Sequence, residues 1–128
     1  MKFYIAARFR KRNSVEKLGK RLEKLGHQMV SDWIKDPSIQ PYEKHQKLAT
    51  KYSLRDIDSI KNSDVFVLIS DKSGTGMYTE FGEAIFSNRF FGKPTIYVIG
   101  KYSSGSIQFF LPFVKRLDTV KDLLKIIK

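Results

Sequence analysis

The chain has 128 residues, 41% hydrophobic and 13% aromatic, enough apolar material for one packed core and too much for a disordered chain. It has no cysteine, which excludes disulfides, thiolate metal sites and a cysteine nucleophile. Lys and Arg total 24 against 13 Asp and Glu, a formal +11 that attracts phosphates and biases the choice of partner, not the fold.

From the N-terminus, "KFYIA" reads as a short buried strand and "RFRKR" as a basic turn. A helix follows over "NSVEKLGKRLEKLG", with Asn13 and Glu16 at capping-box spacing and Gly26 as its stop. "HQMVSDW" has the pattern of a second strand, and "IKDPSIQPYEK", with two prolines, that of a loop. Residues 42–62 are helical in pattern, and a break is expected near Ser53, because Ser53 and Asp56 repeat the Ser-x-x-acid start signal.

"VFVLIS" is the clearest strand, a continuous apolar run of the kind that parallel sheets bury on both faces. A glycine loop and the helix "GMYTEFGEAIF" come next, then a stop, a proline and a fourth strand in "FGKPTIYVIG". "VKRL" is a candidate fifth strand before a closing helix that starts at Asp118 or Thr119. No run approaches the ~18 apolar residues of a membrane span, and the first apolar stretch is too short for a secretory signal, so a cytoplasmic protein is expected.

This alternation predicts a single α/β domain over 1–128: an open parallel five-stranded sheet with helices on both faces and right-handed crossovers. The expected strand order is 2-1-3-4-5, which puts a ligand crevice between the first and third strands. The first strand ends at Ala6-Ala7-Arg8 and the third at Ser70-Asp71, so the basic turn and the glycine loop should face one another.

The helix that opens at "GTGMYTEFGEAIF" carries two glutamates. At about 100° per residue, Met77, Phe81, Ala84, Ile85 and Asn88 share an apolar stripe, Glu80 lies at its border and Glu83 points to water. Glu80 falls in the first turn, where the helix dipole favours an anion, as it does for any first-turn acid.

Asp56 is its candidate partner. A helix covering ~15 Å down and a strand covering ~16 Å back return the chain to the level of the glycine loop. Two acids at one cleft suit glycosidic cleavage, with Glu80 expected ionised and Asp56 expected to carry the proton. Asp58, Asp64 and Asp71 read as solvated or capping acids. Trp33 and Phe9 are placed either to sandwich a base or to pack in the core. His27 and His45 have no partner at metal-ligand spacing, so neither a metal nor a cofactor is expected.

Together, "FYIAARF", "GHQMVSDW", "RDIDSIKNSDVFVLIS", "GTGMYTEFGEA" and "GKPTIYVIG" make the chain resemble the nucleoside 2-deoxyribosyltransferase-like family, which includes 2′-deoxynucleoside 5′-monophosphate N-hydrolases. The resemblance implies that Glu80 attacks the sugar C1′ to form a deoxyribosyl intermediate, that Asp56 assists the leaving base and that Tyr4 hydrogen-bonds the nucleophile. It implies a small nucleoside or nucleotide substrate and a homodimer, with Ser104 and Ser106 able to reach across it.

The two serine positions that hydrolases use on the 5′-phosphate are Ala7 and Gly74 here. A phosphate would then rest on Ser73, the Gly74-Thr75-Gly76 backbone, and Arg8 and Arg10, beside Ala6 and Phe9 at the end of the first strand. The C-terminal "KDLLKIIK" lacks the asparagine and methionine by which transferases complete a neighbour's site. Hydrolysis releasing free base is therefore expected ahead of base exchange. A non-catalytic module holding a nucleotide, or nucleic acid on the basic face, is the alternative from another class.

Overall fold

The computed structural model describes residues 1–127. Five strands, β1 (Lys2–Ala6), β2 (Gln28–Met29), β3 (Val65–Ile69), β4 (Thr95–Ile99) and β5 (Val114–Leu117), form one sheet in the order β2-β1-β3-β4-β5. Every neighbouring pair is parallel. The helices are α1 (Arg12–Lys24), α2 (Gln46–Asn62), α3 (Gly76–Phe91) and α4 (Val120–Ile126). The expected order and parallel architecture are both observed.

The central strands are buried because their sequences are apolar at consecutive positions. Phe3, Tyr4, Ile5, Phe66, Val67, Leu68, Ile96 and Val98 are withdrawn from solvent, each large side chain contributing ~1.5–3 kcal/mol of burial. Val15, Leu18 and Leu22 of α1 close one face of the core, and Met77, Phe81 and Ala84 of α3 pack into it as well. Among the described residues no helix is long and apolar enough to cross a membrane.

Three local expectations need correction. The second strand is two residues long, because Ile5 satisfies its β2-side groups elsewhere. Its N–H donates to Ser31 Oγ at 3.1 Å, and its carbonyl accepts from the Trp33 indole at 2.8 Å. Side chains thus replace the ladder, and residues Asp32–Lys35 turn as a 3₁₀ helix.

The second correction concerns Ser53, which does not start a helix. α2 runs unbroken from Gln46, since no Gly or Pro interrupts it and continuous i→i−4 bonding outcompetes a local side-chain bond in mid-helix. Likewise Asn13 does not cap α1. The helix begins at Arg12 after a 3₁₀ turn over Phe9–Lys11, and its N-cap, Lys11, makes no side-chain cap hydrogen bond. Thr119, by contrast, caps α4 in a complete capping box with Asp122.

Candidate active site

β1 places Tyr4 in the floor of the site. Its ring is fully buried and stacks on Phe66, its register partner on β3, with centroids 5.7 Å apart. The hydroxyl has one outlet, and it donates to Glu80 Oε2 in the first turns of α3. Burial, then the charges of Glu80 and Asp56, push the Tyr4 phenol above its ordinary value, so it stays a proton donor throughout the physiological range.

α2 and α3 lie side by side, and a cleft of about 660 Å³ opens between them. Asp56, Tyr52 and Ser53 line it from α2, and Gly76, Thr79, Glu80 and Glu83 from α3. Phe9, Trp33 and the loop over residues 36–42 close its outer wall. That volume suits a nucleotide-sized ligand. Phe9 and Trp33 both border the cleft, but their rings tilt at 44° with centroids 6.4 Å apart, too close and too oblique to sandwich a base. Trp33 is buried and fixed by Ile5, leaving the exposed Phe9 as a stacking surface.

Glu80 and Asp56 both line this cleft, but their electrostatics differ from expectation. Burial pushes Glu80 up to about 8, aided by the charges of Asp56 and Glu83 and opposed by the Tyr4 hydrogen bond. Glu80 is also the fifth residue of α3, beyond a first turn that holds no acid, so it does not sit among the free helix N–H groups that would keep it ionised. Burial also raises Asp56, against the pull of Arg55. Both carboxyls are thus shifted toward the protonated form, with burial the first cause at each.

Glu83, too, departs from expectation, because it does not point to water. α2 covers that side of α3, leaving Glu83 half-buried in the cleft with Oε2 sealed from solvent and without a hydrogen-bond partner among the described residues. Burial and the Asp56 charge raise its carboxyl too.

Sequence reasoning missed Arg55. Its guanidinium forks onto Asp36, Nη1 to Oδ1 at 2.9 Å and Nη2 to Oδ2 at 2.5 Å. It also donates to Asp56 Oδ1 from Nη2 at 3.0 Å and from Nε at 3.2 Å. The available signal was only that Arg55 precedes Asp56 and that Asp36 opens an Asp-Pro turn.

At the carboxyl ends of β1 and β3 the basic turn meets Asp71, which is a hub and not a solvated acid. Lys11 Nζ lies 3.1 Å from Asp71 Oδ2, Arg10 Nη2 3.3 Å from the same oxygen, and Arg8 Nη1 4.0 Å from Oδ1. Lys11 first, with Arg10 and the Lys72 N–H, holds the Asp71 carboxyl down at about 2. Arg8 also donates to Ser73 Oγ at 3.0 Å, joining the turn to the glycine loop.

Gly74 in that loop has φ +143°, a conformation that L side chains rarely adopt. Ala6 is buried at the strand end with no side-chain reach into the cleft. Ser104 and Ser106 do not join this cleft: Ser104 accepts from Arg116 Nη1 at 3.1 Å, and Ser106 borders a separate 560 Å³ depression on the other side of α3. Among the described residues no group of three or more His, Asp or Glu is arranged to hold a metal ion.

No family model and no curated protein matches the chain. Among solved structures, the Clostridium botulinum CMP N-glycosidase BcmB aligns over 98% of this chain and 97% of its own at a TM-score of 0.59, with 19% sequence identity. The two proteins share one fold from end to end.

Proposed function

We propose that the chain cleaves the N-glycosidic bond of a deoxynucleoside 5′-monophosphate, or of a nucleoside, and releases the free base with water as acceptor. The observation that carries this reading is the Tyr4–Glu80 hydrogen bond at the floor of a cleft that Asp56 also lines. The fold shared with a CMP N-glycosidase supports it.

In the first step an ionised Glu80 oxygen bonds to C1′ as the C1′–N bond breaks. The bonding pair leaves on the base, which takes a proton from Asp56. Water then adds to C1′, giving up a proton to the Asp56 carboxylate, and the ester bond breaks to return Glu80. The reacting arrangement has the proton on Asp56, and positive charge developing on the sugar stabilises Glu80 as an anion. Tyr4 holds that anion in line. Arg8, Arg10 and Lys11, held as a group by Asp71, supply the cationic end for a 5′-phosphate.

The working unit is a homodimer in this reading. Ile107 and Phe110 are exposed and free to pair across copies, whereas Phe109 between them belongs to the core.

Nucleosides and 5′-monophosphates incubated with the protein should yield free base by chromatography, and Glu80→Ala should lower the rate by ~10³-fold or more. Equal behaviour of wild type and variant on every substrate overturns the proposal. Exchange into an added second base would convert the hydrolase reading into a transferase one.

A further inference from the structure

Asp56 can protonate a leaving base only if it is not locked as an anion, and its nearest neighbour is a guanidinium. Alone, an arginine beside an aspartate adopts the two-pronged fork that holds a carboxylate ionised. In this cleft the fork is taken by a different acid. Asp36 receives Nη1 and Nη2 in parallel, and Asp56 receives both of its contacts on the single oxygen Oδ1, which leaves Oδ2 without a hydrogen-bond partner among the described residues.

Asp36, Arg55 and Asp56 are each largely shielded, at 16%, 29% and 17% side-chain exposure, so solvent screens the arrangement little. The other charged or titratable groups facing Asp56 are Asp32 from the neighbouring turn, Glu80 and Glu83 from α3, and Tyr4 from β1. Arg55 is the one cation in this set.

We infer that Asp36 is a positioning residue that, by occupying the Arg55 fork, leaves Asp56 Oδ2 free to carry the proton for the departing base. This rests on the glycosidase reading for its chemistry, while the charge arrangement itself can be tested without turnover. The direction of Asp56 agrees: burial raises it, Arg55 opposes, and the Asp36 charge adds to the rise.

The test is Asp36→Asn, with Asp36→Asn/Arg55→Gln as its control. In carboxyl carbon NMR, Asp56 should titrate at lower pH in Asp36→Asn than in wild type, because Arg55 is released onto it, and should return upward in the double variant. In kinetics, kcat/KM for ordinary 5′-monophosphates should fall roughly tenfold to a hundredfold in Asp36→Asn and recover in the double variant. An activated substrate, 4-nitrophenyl 2-deoxyribofuranoside, needs no acid and should be cleaved at the wild-type rate by both.

An unshifted Asp56 titration, or equal losses on both substrates, overturns the inference. A shifted titration in a protein that cleaves neither substrate upholds the role of Asp36 in setting Asp56 and removes the glycosidase reading instead.

Discussion

Two acids sit at the same edge of the sheet and end in opposite protonation states. Asp71 is held down at about 2 and Glu80 is pushed up to about 8. Burial raises both carboxyls and is the largest cause at Glu80, but at Asp71 it is outweighed. Partners make the difference: Asp71 gathers Lys11, Arg10 and Arg8, whereas Glu80 has one neutral donor, Tyr4, two further acids, Asp56 and Glu83, and only the weaker, opposing charge of Arg55. A carboxylate ringed by cations is a structural anchor. A carboxylate ringed by acids and a phenol is held in reserve, and its ionisation is favourable only once a positive charge arrives, as it does on a sugar losing its base.

The largest consequence is in stability. A carboxyl whose folded value lies above its unfolded one binds more protons in the native state, so stability falls as pH rises from about 4.5 to about 8 and the penalty is complete above that. Glu80→Gln removes the charge and should stabilise the protein by roughly 2–5 kcal/mol at pH 9 while changing little at pH 5. Denaturant unfolding at the two pH values measures it. An equal gain at both would mean that Glu80 is not a buried proton holder.

The same contrast explains what the amino-acid sequence made legible. Strands such as Val65–Ile69 and the parallel order follow from continuous apolar runs alternating with amphipathic helices, signals carried by many residues at once. Glu80 and Asp56 could be brought to one cleft because the topology fixes which strand ends and helix starts converge, whereas Tyr4 is pointed to only by the family resemblance. What escaped depended on single competitions. β2 stopped after two residues because Ser31 and Trp33 took the bonds of Ile5. Ser53 stayed helical because nothing broke the chain around it. Glu83 was read from the periodicity of its own helix, which says nothing of a second helix lying over it. Arg55 escaped because a fork onto Asp36, nineteen residues away, has no local signature.

A smaller effect separates the roles of charge and hydrogen bond at Glu80. Tyr4→Phe removes the one neutral donor, and since that bond favours the anion, the Glu80 carboxyl should rise further. A hydrogen bond to a charged group contributes about 1.5–3 kcal/mol, so kcat/KM at pH 7 should fall about 10- to 100-fold. The loss should shrink as the pH is raised on the activated 4-nitrophenyl substrate, which needs Glu80 ionised but no acid. A pH-independent loss would assign Tyr4 to packing on Phe66 instead.

The smallest expected effect is at the other acid. Asp71→Asn discharges the hub, but its cations can turn to water, because Arg10 is 64% exposed at its side chain and Arg8 and Lys11 about a third. The sign is opposite to that at Glu80. A carboxyl depressed in the folded state contributes stability above its unfolded value, near pH ~4, and loses it as pH falls toward about 2. Wild type should therefore exceed Asp71→Asn in stability at pH 7, with the gap closing through that acid window and narrowing in high salt. A gap that persists unchanged below pH ~3 would show that the side chain does not work through the charge it presents to the basic turn.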